Sequence, residues 1–128
     1  MTPLSTLRIE NETRGALLGD RIRVADGWWT RLRGLLGRPE PDEGEGLMIV
    51  PCRGVHMFGM SYPLDVLLLD DEGEVLEIYE SLEPWSRSGY HGDARCALEL
   101  PAGTVGATGT APGDRLSWRD ARNDGGAA

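Results

Sequence analysis

LDVLLLDDEGEVLEIYE, residues 64–80, sets two apolar runs on either side of the turn-forming tetrapeptide Asp70-Asp71-Glu72-Gly73. Short acids and a glycine between β-branched and aliphatic runs are the signature of a β-hairpin. In the first run, alternation puts Leu64, Val66 and Leu68 on one face and Asp65, Leu67 and Leu69 on the other. Both faces are then mostly apolar and neither is an obvious solvent face, so Asp65 sits either at the wet end of the strand or among groups that satisfy it.

Working outward, STLRIENETRGALLGDRIRVAD alternates Leu7 with Ile9, then Ile22 with Val24, around the turn-prone NETRG, and reads as a second hairpin. DGWWTRLRGLLG reads as a helix with Asp26 as its N-cap and an apolar stripe of Trp28, Leu32, Leu35 and Leu36, closed by Gly37 and stopped by Pro39. Gly34 inside it costs about 1 kcal/mol relative to Ala, which points to a backbone packed closely against it. LMIVP and ARCALEL are further strands, the latter with Ala94, Cys96, Leu98 and Leu100 on one face, and TVGATG and DRLSW supply two more. The expected fold is mainly β (α+β by strict count): a compact antiparallel-rich barrel or sandwich of about seven to eight short strands with one short helix near residues 27–36. No repeat or linker divides the chain, so residues 1–119 are expected to form one domain, with a disordered tail at 120–128.

Composition removes several function classes. At 128 residues one core suffices without a metal or disulfide. A net charge of −8 opposes binding of nucleic acid through phosphate neutralisation, although a local arginine patch remains able to hold an anion. The chain has no lysine, which excludes a lysine mechanism. No run approaches the ~20 apolar residues of a membrane span, and MTPLSTLRIE lacks the parts of a signal peptide. A cytoplasmic location with reduced thiols at Cys52 and Cys96 is expected, with no membrane or nucleic-acid partner and a monomer or small homo-oligomer. The glycine-rich segments form neither a P-loop nor a dinucleotide fingerprint, and no cofactor is expected.

The ordered motifs R-x-R-G-L-L-G-R (31–38), G-E-G-L-x-I (44–49), P-C-x-x-V-H-x-F-G-M-x-x-P-L-D-V (51–66), L-D-x-x-G-x-V (69–75), A-L-E-L-P-A-G (97–103) and G-D-R-L (113–116) closely resemble domain-of-unknown-function family 192. The resemblance implies a small β-rich domain and supplies no mechanism. Many members look as if they carry an aromatic-Trp-Met triplet before Pro-Leu-Asp. Here the triplet is Phe58-Gly59-Met60, so Met60, Pro63, Leu64 and Asp65 match the wider pattern while Cys52 and His56 match one branch of it. Gly59 would leave room for a larger pocket.

A cleft near residues 52–65 is therefore the expected site. Cys52 and His56 are four residues apart, and a turn at Arg53-Gly54 would bring them together as a thiol nucleophile with its base, the alternative being a buried Cys beside a hydrogen-bonded His. Asp65 is either held by loop amides or an arginine such as Arg31 or Arg33, or contacts a ligand. Met60, Asp65, Trp85, Arg31 and Glu99 are the candidate ligand-binding residues. Trp85, near Arg87 and Tyr90, reads either as a stacking platform for a sugar or heterocycle or as a lid over the core. Glu99 should face solvent or a barrel mouth, and Arg31 and Arg38 should share one side of the helix. His91, Cys96 and Asp65 lack the spacing of a metal site, and none is expected. The leading expectation is a binding module for a small molecule or partner. The alternatives are a Cys52/His56 thiol transferase or hydrolase, and a protein interaction module without a small-molecule site.

Overall fold

The structure is a computed structural model and describes residues 6–121. Seven strands and two short helices follow in the order β1 (Thr6–Asn11), β2 (Ala16–Ala25), α1 (Trp28–Arg33), β3 (Glu45–Ile49), β4 (Leu64–Leu69), β5 (Val75–Leu82), β6 (Cys96–Pro101), α2 (Thr104–Thr108) and β7 (Leu116–Asp120). They form one mixed sheet of order β5-β4-β6-β3-β2-β1-β7, in which only β2 and β3 run parallel. Both hairpins read from the sequence are present: β1 with β2, and β4 with β5.

The sheet curls into a half-barrel. An isolated bridge between Glu74 and Arg115 draws the β4–β5 turn toward the start of β7. Gly73 makes that approach possible, because a Cβ there would lie 2.5 Å from the Leu116 carbonyl oxygen and its φ of 87° suits glycine. Inside the curl sits one apolar cluster, with Ile9, Ile22, Met48, Leu67, Leu98 and Leu116 drawn from five strands and β7. The outer face carries a second cluster, including Leu47, Ile49, Leu64, Val66, Leu68 and Ala97, covered by Leu35, Met57, Met60 and Tyr62 from the segment after α1 and the loop before β4. Strand β4 has apolar cover on both faces, in keeping with its doubly apolar sequence: all six of its residues are 0 % exposed. Each buried aliphatic side chain there contributes about 2 kcal/mol from removal of apolar surface from water.

Several expectations are corrected. TVGATG is not a strand but α2, a single turn whose Val105 plugs the inner cluster. Its small residues carry no two-residue alternation, and the left-handed Gly103 starts a helical turn instead. Helix α1 is capped at Gly27 rather than Asp26, with Thr30 Oγ1 accepting from the Gly27 amide at 3.2 Å. It ends at Gly34, whose φ of 54° breaks the helix, so the glycine serves as a C-terminal stop and no backbone packs on it. Arg31 and Arg38 consequently share no helix face. The side chains of Trp28 and Leu32 lie outside the described residues, as does the expected tail from residue 122. Ala94 precedes β6 and packs in the outer cluster, away from Cys96 and Leu98.

Candidate functional site

Strand β6 places Ala97 and Glu99 on the outer face and Cys96, Leu98 and Leu100 on the inner one. Glu99 pairs in register with Leu47 of β3 and Val66 of β4, so apolar strands flank it on both sides. The segment carrying α1 then roofs it over, leaving it 5 % exposed rather than facing solvent. No hydrogen bond or ion pair to Glu99 Oε1 exists among the described residues. Burial without a compensating charge pushes its carboxyl up to about 7.

Glu99 forms part of a cavity of about 110 Å³ whose wall includes Arg31, Gly34, Cys52, His56 and Met60. Gly34 opens the space directly above the carboxyl, since a Cβ there would stand 3.9 Å from Glu99 Oε1. The Arg31 guanidinium is anchored by Nη1, which donates to the Pro51 carbonyl at 3.2 Å, while its buried Nε has no hydrogen-bond partner among the described residues. Two residues that line the same small cavity thus each carry a buried polar atom without a hydrogen-bond partner among the described residues. At ~30 Å³ per water it has room for about three or four waters, well under the ~300 Å³ of a pocket for a whole drug-sized molecule. It is sized for a head group.

Cys52 and His56 both border this cavity. The Cys52 thiol donates to the Gly54 carbonyl at 3.1 Å. Burial leads in pushing this thiol up, Glu99 adds to the rise and Arg31 opposes it, with a net upward shift. His56 instead bridges to Arg87 across the loops and lies 5.0 Å, centroid to centroid, from Phe58. Phe58 in turn stacks with Trp85 at 6.3 Å and 24°. Trp85, at 69 % exposed, extends an open aromatic ledge from the cavity mouth rather than lidding the core. Gly59 does not enlarge the cavity: its φ of 81° serves a turn, and Leu36 Cδ1 fills the space beside it.

Asp65 lies on the opposite face. Its Oδ1 accepts from the Ser81 amide at 2.8 Å, and its Oδ2 accepts from the Gly103 and Val105 amides at 3.2 and 2.8 Å. Loop amides, and no arginine, hold this carboxylate. Met60 and Asp65 therefore do not border a common pocket. Cys96 is a core residue whose thiol burial pushes up to about 12. Among the described residues no group of three or more His, Cys, Asp or Glu side chains is placed to hold a metal. Arg38 borders a separate pocket with Arg21 and Arg23.

The cavity residues that sequence reasoning did not name as site candidates include Arg33, Gly34, Leu35, Ile49, Val55 and Phe58. The burial of Glu99 did leave a signal: Ala97 and Leu98 flank it on alternate faces, the pattern of a strand covered on both sides.

These features place the chain among small curled-sheet domains, here with a cavity that holds one buried carboxyl beneath the α1 segment. The chain belongs to the uncharacterised family DUF192, described as "Uncharacterized ACR", whose model matches residues 9–118. It is 29 % identical over 113 residues to a UPF0127 protein of Thermococcus sibiricus, covering 84 % of this chain and 72 % of that protein. The fold is shared, at a TM-score of 0.75, with a crystal structure of a Novosphingobium aromaticivorans protein of unknown function, 23 % identical, covering 88 % of this chain and 83 % of that one. A Sinorhizobium meliloti protein proposed to be a transcription regulator matches at the same TM-score with 26 % identity, over 92 % and 97 % of the two chains. No helix of the described residues is long and apolar enough to cross a membrane.

Proposed function

We propose that this protein is a small-ligand-binding module and that the ligand's head group occupies the Glu99 cavity. The observation that carries this reading is the unpartnered Glu99 carboxyl, 5 % exposed at a cavity wall that also holds the unpartnered Arg31 Nε. A buried polar atom without a partner costs about 1–3 kcal/mol, and a bound molecule that supplies the missing hydrogen bonds recovers it. The thiol-enzyme reading has less support, because the Cys52 thiol is spent on the Gly54 carbonyl and its shift is away from the thiolate. The regulator role proposed for the Sinorhizobium protein transfers poorly to DNA contact at a net charge of −8.

A fragment screen by ¹⁵N–¹H NMR tests the proposal. Binders are expected to shift the amides of Gly34, Cys52, Gly54 and Val55, and to lose that effect when Val55→Phe fills the cavity. Binders that shift only other regions, or that ignore Val55→Phe, contradict it.

A further inference from the structure

Beside the cavity runs an open groove of about 550 Å³ bordered by Arg53, Arg87, Ser88 and Tyr90, and the two spaces share Gly54, Val55 and His56. Charge distinguishes this region from the rest of the molecule. The chain carries eight more acids than arginines, yet Glu99 is the one acidic side chain bordering either space, against Arg31, Arg33, Arg53 and Arg87. Elsewhere, among the described residues, Arg23, Arg38 and Arg95 make no ion pair, while Arg8, Arg14, Arg21, Arg115 and Arg119 make ion pairs with carboxylates. None of the four arginines of the cavity and groove does so among the described residues. Arg31 and Arg33 are engaged only by the Pro51 and Leu36 carbonyls, and Arg53 only by the Tyr90 hydroxyl at 3.5 Å. Guanidinium groups left without carboxylates in an acidic protein form a local field suited to an anion.

Resting on the ligand-binding reading above, we propose that the ligand is a small organic oxyanion, a carboxylate or phosphate monoester, whose head enters the Glu99 cavity and whose body lies in the Arg53–Arg87–Tyr90 groove. The unmatched Arg31 Nε donates to one oxygen of the head. Glu99, in its acid form, donates to another, so both unpartnered atoms are satisfied by one group. An ionised Glu99 repels the same head. The groups facing Glu99 are Arg31 and Arg33 from α1 and Cys52, His56 and Tyr62 from the loop, while β3 and β4 present only Leu47, Ile49 and Val66. Anion binding therefore takes up a proton at Glu99, and affinity falls as pH rises through the range where that carboxyl ionises.

Four probes that share one ring isolate the head group: benzoate, phenyl phosphate, benzamide and benzylammonium, each titrated into the whole chain by ¹⁵N–¹H NMR. Benzoate and phenyl phosphate are expected to shift the Gly34, Cys52, Gly54 and Val55 amides and to bind at least about tenfold more tightly than benzamide near pH 6, a preference that Arg31→Met removes. Benzoate, itself ionised throughout, should weaken about tenfold between about pH 6 and about pH 8. The pH series is repeated in His56→Gln, which removes the imidazole at the cavity wall, and the dependence should persist. A preference for benzamide or benzylammonium at those amides overturns the anion assignment and leaves the ligand-binding reading standing. Silence of all four probes also overturns it, and the fragment screen with Val55→Phe then decides that broader reading separately.

Discussion

Asp65 and Glu99 are acids on adjacent strands, β4 and β6, at 0 % and 5 % exposure, yet the chain treats them in opposite ways. Three backbone amides converge on Asp65, whereas Glu99 Oε1 receives no hydrogen bond. The difference lies in what covers each face. The end of β4 meets the left-handed Ser81 and the first turn of α2, whose free amides point at the carboxylate. Glu99 instead lies beneath the stop of α1 at Gly34, where the chain leaves a space rather than a donor. The two acids thus share burial and differ in whether it is satisfied.

The largest expected effect comes from breaking the satisfied member. Asp65→Ala leaves three amides without their acceptor and should cost about 4 kcal/mol, read from the midpoint of urea unfolding. A loss below about 1 kcal/mol would mean that water replaces the carboxylate, and the contrast with Glu99 would weaken.

Glu99→Gln should act in the opposite sense and depend on pH. A carboxyl held at about 7 rather than its ordinary 4.5 binds more protons folded than unfolded. Its stability contribution is whole below the ordinary value and is lost as pH rises through about 7. The variant is therefore expected to match the parent near pH 4.5 and to be more stable by about 2–3 kcal/mol near pH 8. Equal stability at both ends of that range counts against an unpartnered carboxyl.

Asp114 sharpens the comparison from a third position. Its Oδ2 accepts from Asn11 Nδ2, Arg14 Nε and the Ala111 amide at 3.0, 2.9 and 2.9 Å, tying the first hairpin to the loop before β7. The Arg14 hydrogen bond leads in holding this carboxyl down, at about 2. Its contribution is present above the ordinary value of 3.8 and is lost as pH falls toward about 2. Asp114→Asn should cost about 2 kcal/mol at neutral pH in a urea titration, with the difference closing as acid protonates the parent. A difference that persists unchanged in strong acid would assign the loss to shape instead.

The smallest effect concerns Cys52, whose upward shift and contact with Gly54 predict alkylation by iodoacetamide slower than that of a free cysteine near neutral pH. Faster labelling would revive a thiolate role for the Cys52–His56 pair.

How much was legible follows from which signals are local. The hairpins were readable because alternation and turn residues sit within each segment, and the two apolar faces of β4 agree with its complete burial. α2 was misread because Thr104-Val105-Gly106-Ala107-Thr108 carries no period of either kind, and its helical turn is set by Gly103 and by the Asp65 carboxylate 40 residues away. Asp65 could be narrowed to loop amides or arginine, but not chosen between them, because the amides arrive from two distant segments. Glu99 was expected to face solvent or a barrel mouth. Its face was correct, and apolar residues on both faces of β6 signalled cover, but nothing within β6 shows that this cover comes from α1 and the following loop.

The most direct test is a ¹³C NMR titration of the Glu99 side-chain carboxyl in the ligand-free protein. A midpoint near 7 is the result expected of an acid buried without a partner, whereas a midpoint at the ordinary 4.5 would show a solvated or paired carboxylate and contradict the account.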